Sequence, residues 1–159
     1  MRLGRRKRSL ESNLGDIHDA AVFLWHFFKL VSKSEIIFAK MNNKNNERVF
    51  KMSFASVYPH YLTKLEKKGR SVEELHEVIF WLTGYTEEDL KRMLGDKTNF
   101  QDFFESAPKL NTDRDKIKGV ICGYRVEDIQ DPLMQNIRYL DKLVDELAKG
   151  KSMEKVLRK

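Results

Sequence analysis

One cysteine, three prolines and eight glycines in 159 residues exclude several classes of protein at the outset. A lone thiol, Cys122, cannot close an intramolecular disulfide, so no disulfide framework exists and a reducing compartment, the cytosol, is the expected setting. So little Pro and Gly rules out collagen-like and fibrous chains, and 41% hydrophobic with 11% aromatic content rules out a wholly disordered one. No apolar run reaches the roughly 20 residues that a membrane-spanning helix needs. The densest, Ala20 to Phe28, stops at Lys29. It also makes a poor secretory signal, because Glu11, Asp16 and Asp19 separate it from the basic cluster Arg5-Arg6-Lys7-Arg8 and no clean small-residue cleavage site follows.

What remains is a charged, helix-forming chain of one domain's size, with 34% charged residues and a formal net charge of +6. That basic balance invites nucleic acid or an anionic surface, but its distribution weakens the invitation. The first 40 residues hold eight basic residues against four acids, so they carry +4 and the rest of the chain only +2. Phe23, Phe27, Leu30 and Val31 share helical spacing and would form an amphipathic helix. After them, Met41 opens a solvated tract, Asn42 to Arg48, typical of a true amino terminus. Residues 1–40 therefore read as an extension, either upstream of a misplaced start or a mobile arm, and residues 41–159 as a single helical domain.

In that domain the punctuation is regular. Ser56 is expected to cap a helix with Pro59 in its first turn and Gly69 at its end, with Phe54, Tyr58, Tyr61 and Leu65 on one stripe. Ser71 and Glu74 form a capping box before Val72, Leu75, Val78, Ile79 and Leu82, and Gly84 is the left-handed stop. Thr86, followed by three acids, caps the next helix, which should end at Gly95; Thr98 opens a short one carrying Phe100, Phe103 and Phe104. Asp131-Pro132 starts a long helix with the heptad-like seam Leu133, Ile137, Leu140, Val144 and Leu147, stopped by Gly150. Its seam faces either the domain's own core or a second copy, which leaves the oligomeric state open. Ser152 begins a last short helix. Residues 112–123 fit two patterns: Val120, Cys122, Tyr124 and Val126 alternate like a strand, and Ile117, Val120, Ile121 and Tyr124 share a helical face. Thr112 as cap, Asp113 and Asp115 in the first turn and Gly123 as stop favour the helix. The expected fold is all-α, an orthogonal bundle of short helices with one longer helix near the C-terminus.

The chain offers few signatures of chemistry. No phosphate-cradling loop, dinucleotide turn or nucleophile elbow occurs. His76-Glu77 begins a zinc-protease pattern, but Phe80 stands where the second histidine must be, and no other histidine has ligand spacing, so neither metal nor cofactor is expected. Cys122, at the end of an expected helix among apolar neighbours, reads as a buried, inert thiol. Gly119 and Gly123 then serve close helix packing, and Trp81 and Tyr85 fill the core more readily than they stack a base. Leu82 to Leu90 weakly resembles a helix-hairpin-helix element, yet it lacks the second turn glycine, and Glu87, Glu88 and Asp89 would repel phosphate. The mixed charge of the last third reads as a solvated face with intrahelical pairs. A sharper alternative gathers Arg125, Arg138 and Asp141 into a polar pocket beside Cys122.

Several ordered blocks are familiar together: Met52 to Pro59, Glu66 to Arg70, Trp81 to Tyr85, Gly119 to Gly123, Asp131 to Met134 and Ile137 to Leu143. They resemble the bacterial domain-of-unknown-function family 2200 over roughly Arg48 to Arg158. The resemblance implies a small, mainly helical cytosolic protein with orthogonally packed helices, beginning shortly before Met52, which agrees with a start at Met41. It brings no activity, substrate or catalytic residue.

The expected function is accordingly non-enzymatic: binding of a macromolecular partner, with an unidentified protein as a candidate, through the Tyr58 or the Arg138 region. The alternative is a small-molecule site or enzyme with a pocket near Cys122, Arg125 and Arg138. Nucleic-acid binding comes third and is not expected of the body, nor is membrane association.

Overall fold

A computed structural model describes residues 44–159. The basic cluster, the apolar run at 20–28 and the expected start at Met41 lie outside them. Helical backbone at 44–50 is followed by α1 (Phe54–Glu66), α2 (Val72–Thr83), α3 (Glu87–Gly95) and α4 (Phe100–Glu105). A 3-10 turn (Thr112–Lys116) then leads to a hairpin of β1 (Val120–Ile121) and β2 (Tyr124–Arg125), and a second 3-10 turn (Val126–Asp128) to the long α5 (Pro132–Ala148) and short α6 (Met153–Val156). Residues Asn46–Lys159 form one compact unit that is predominantly α-helical, with the longer helix near the C-terminus as expected.

Local chemistry sets most helix boundaries. Ser71 Oγ accepts the Glu74 amide at 3.3 Å and Glu74 accepts the Ser71 amide at 3.0 Å, a complete capping box for α2. Thr86 and Asp89 do the same for α3, and Asp131 Oδ1 accepts the Met134 amide at 2.9 Å with Pro132 in the first turn of α5. Gly84 ends α2 at φ +75°, and a Cβ there would also lie 3.1 Å from the Lys109 backbone, so the position is closed to larger residues.

Tertiary contacts move two helix starts. α1 begins at Phe54, before the expected cap Ser56, because the Phe54 amide donates to Thr98 O (2.8 Å) and the Phe100 amide to Met52 O (3.0 Å). Pro59 is thereby left inside the helix. The same cross-link occupies Thr98, so Asn99 caps α4. Gly95 is the last residue of α3, and the left-handed position after it falls on Lys97 (φ 53°). The expected helix at 112–123 is replaced by the 3-10 turn and the hairpin. Both Cys122 (φ 50°) and Gly123 (φ 84°) are left-handed, which a right-handed helix forbids and a two-residue hairpin of type I′ requires.

The core is built on α5. Ile137, Leu140, Leu143, Val144 and Leu147 are all buried, and the helix packs against α1, α2, α4, α6, β1 and the second 3-10 turn. Each such side chain contributes about 1.5–3 kcal/mol of transfer free energy. Beside it, Phe54 stacks on Phe103 (4.2 Å between centroids, 17°) and meets Phe100 edge-on (5.7 Å, 88°), joining α1 to α4.

One carboxylate on α5 faces inward. Glu146 is 3% exposed and binds Arg158 Nη1 at 2.7 Å and Lys151 Nζ at 3.0 Å, which fastens α6 to α5. Burial pushes its carboxyl up, but the hydrogen bonds from Arg158 and Lys151 outweigh burial and hold it below the usual range. Glu146→Ala leaves Arg158 without its carboxylate, so urea unfolding should show a loss of about 3 kcal/mol; a loss under about 1 kcal/mol would mean that the clamp behaves as a surface pair.

Candidate functional site

The hairpin between Gly119 and Val126 is short, yet it is tied down at four points. The Val126 amide donates to Gly119 O (3.1 Å), and Lys142 Nζ from α5 donates to Val120 O (3.1 Å). Glu127 accepts the Gly119 amide through Oε2 (2.9 Å) and the Arg125 guanidinium through Oε1 (2.6 Å). The Gly119 amide, then Glu127's own amide and Arg125, pull the Glu127 carboxyl down to about 2. Cys122 takes a backbone shape that costs a non-glycine residue about 1 kcal/mol. The turn brings the thiol out: Cys122 is exposed, which corrects the expectation of a buried one. Gly119 and Gly123 serve the hairpin, each at positive φ, and not the packing of one helix on another.

Behind the tip runs a chain of polar contacts. Arg138 Nη1 lies 3.6 Å from Cys122 Sγ and 2.8 Å from Asp141 Oδ2, and the Tyr61 hydroxyl donates to Asp141 Oδ1 at 2.6 Å. Burial, and then Asp141, raise the Tyr61 phenol well above its ordinary range, so it remains a protonated donor. Cys122, Arg138 and Asp141 are thus brought together, as the sharper sequence reading had them, while Arg125 turns to Glu127. Tyr61 completes the group. Its place on an apolar stripe marked it as core, and nothing local in the sequence pairs it with an acid on α5.

Tyr58 sits elsewhere, in a second cluster. Its hydroxyl is 2.6 Å from His76 Nε2, and His76 Nδ1 is 2.9 Å from Glu87 Oε2. The arrangement resembles a catalytic relay, but both ring nitrogens are engaged within it, leaving none to take a substrate's proton. Burial, then Glu87, raise the Tyr58 phenol, which disfavours a phenolate nucleophile. The sequence marks His76 only as the start of a zinc-protease pattern; its partners lie on α1 and α3, beyond any local pattern. It also lines a groove of about 430 Å3 with Glu73, Glu77, Phe80, Trp81, Glu87 and Lys159. Trp81 is half-buried at this groove, whereas Tyr85 is a core residue whose hydroxyl donates to Phe103 O at 2.6 Å. Among the described residues no three His, Cys, Asp or Glu side chains converge to hold a metal ion, and no helix is long and apolar enough to cross a membrane.

The fold and these clusters define a class: a small helical protein whose long C-terminal helix carries a pinned β-hairpin. The chain belongs to the family described as uncharacterized protein conserved in bacteria (DUF2200), whose model matches residues 48–158. It is similar to the crystal structure of uncharacterized protein SP1917, at 47% identity and a TM-score of 0.67, over 70% of this chain and 92% of that one. No curated protein matches it.

The Glu127 lock gives a pH signature. Its folded-state value, about 2, lies below the ordinary 4.5, so the stabilisation is complete above the ordinary value and disappears as pH falls through about 2. The Gly119 amide resonance should therefore hold steady from neutral pH down past 4.5 and move only near 2. In Glu127→Gln it should be displaced at neutral pH and lose that titration. A midpoint near 4.5 in the unaltered protein would show that the lock does not form.

Proposed function

We propose that this protein acts by binding a protein partner, and that the β1–β2 hairpin is the contact. The observation that carries this reading is the exposure of Val120 (54%) and Tyr124 (57%) beside the exposed Arg125, on a loop whose backbone is pinned to α5. Tyrosine and arginine supply much of the binding energy in protein interfaces, and a loop held rigid before binding loses less entropy on association. The solvent-open Cys122 thiol suits a reducing setting, and we place the protein in the cytoplasm on that ground.

Two other readings draw less support. A pocket shared by Cys122, Arg125 and Arg138 would need Arg125 to leave Glu127, and these residues line neither the groove at His76 and Trp81 nor the one at Trp81, Lys109 and Thr112. Nucleic-acid binding by the domain would rest on a charge of only +2, with exposed Glu87 and Glu88 at the α2–α3 turn.

The test is retention of a host protein on the immobilised chain, compared with a Val120→Ser/Tyr124→Ala variant. Both side chains are exposed, so the variant should melt as the unaltered protein does. It should lose at least about tenfold in affinity for the retained partner, the effect of removing an aromatic anchor. Equal retention by the folded variant would remove the hairpin as the contact.

A further inference from the structure

The geometry points to a second recognition site, separate from the hairpin: we propose that the groove between α2, the start of α3 and the chain's last residues receives a lysine or arginine side chain from a basic segment of a partner protein. Its rim is acidic. Glu73 and Glu77 lie one turn apart on α2, Glu87 stands at the start of α3, and all three are exposed. Phe80 and Trp81, both half-buried, line it as well, so its wall is partly aromatic. Carboxylates around an aromatic face are the surroundings that favour an organic cation, which gains from the ring's negative face while its alkyl stem covers apolar surface.

Two independent features separate this groove from a mere run of acids. First, an ammonium group is already at its edge: Lys159 lines it and places Nζ 3.5 Å from Glu77 Oε1. The contact is long and both side chains are largely exposed, so it occupies the place weakly and a better-fitting cation can displace it. Second, the acidic rim is built to stay in position. His76, in contact with Tyr58 on one ring nitrogen, anchors the Glu87 carboxylate with the other, and Glu73 is held below the usual carboxylate range by hydrogen bonds from its own amide and the Ser71 hydroxyl, so it stays ionised. The groove is about 430 Å3 and open to solvent, which suits one side chain entering from an extended peptide more than a small molecule enclosed on all sides.

The experiment titrates the full chain into a fluorescein-labelled, N-acetylated tetralysine peptide at low ionic strength and reads anisotropy. Glu73→Gln/Glu77→Gln should weaken binding about tenfold, and Lys159→Ala, which removes the internal competitor, should strengthen it about threefold. The same changes of charge made away from the groove, Glu105→Gln and Lys118→Ala, both at exposed residues, should leave binding within about twofold, whereas non-specific attraction would respond to them as it does to the groove residues. Both groove glutamates are exposed, and an unchanged melting temperature confirms that the variant folds. Spermidine at matched charge should compete poorly. Binding that ignores the glutamates, fails to tighten in Lys159→Ala, or is absent from both the unaltered protein and Lys159→Ala would overturn the proposal. Competition by spermidine as effective as the peptide's own would overturn the assignment to a protein segment. The Val120→Ser/Tyr124→Ala variant should bind tetralysine normally, so failure at the groove and failure at the hairpin can be told apart.

Discussion

The apolar stripe of α5 is the constraint on which the described structure depends. Ile137, Leu140, Leu143, Val144 and Leu147 are all buried, and α1, α2, α4, α6, β1 and the second 3-10 turn pack on that helix. A single helix in that position must be correctly started, fully buried along one face and closed at its far end. Asp131 and Pro132 start it, the core side chains bury it, and the Glu146 carboxylate with Arg158 and Lys151 closes it against α6. The last interaction is stabilising only as a set, because a buried carboxylate with one cation missing costs more than an apolar residue in its place.

The same helix organises the polar surface. From its exposed side Arg138, Asp141 and Lys142 reach back to Cys122, Tyr61 and Val120, so the hairpin is an attachment of α5 and not a free loop. Glu127 then joins the two ends of the hairpin to each other. A second polar line, Tyr58, His76 and Glu87, ties α1, α2 and α3 together on another part of the surface. In both lines the phenol is raised, which disfavours a phenolate and makes these clusters positioning devices before they are reactive ones.

What was legible in the sequence was what local chemistry decides. Capping at Ser71, Thr86 and Asp131, the left-handed stop at Gly84 and the seam of α5 depend on residues within a turn or two of one another, and each stands where it was expected. The hairpin carries a strand-like alternation from Val120 to Val126, but Thr112, Asp113, Asp115 and Gly123 carry stronger helix-boundary signals, and cysteine is an uncommon choice for a left-handed turn position where asparagine would have signalled the turn. The start of α1 depended on Thr98 and Met52, neither of which belongs to that helix. The candidate residues fared likewise: Arg138 and Asp141 are three apart and their pair was readable, but Tyr61 with Asp141 and Tyr58 with His76 are long-range meetings that only the fold brings about.

The central claim is that the hairpin is a rigid display held by α5 and the Glu127 lock. Amide hydrogen exchange of the intact protein tests it most directly. The Gly119 and Val126 amides, bound to Glu127 and to Gly119 O, should exchange slowly, within reach of the amides in the middle of α5, while the Cys122–Gly123 tip exchanges freely. Free exchange at Gly119 and Val126 alongside a protected α5 would show a loose loop, and the hairpin could not then serve as a preorganised contact.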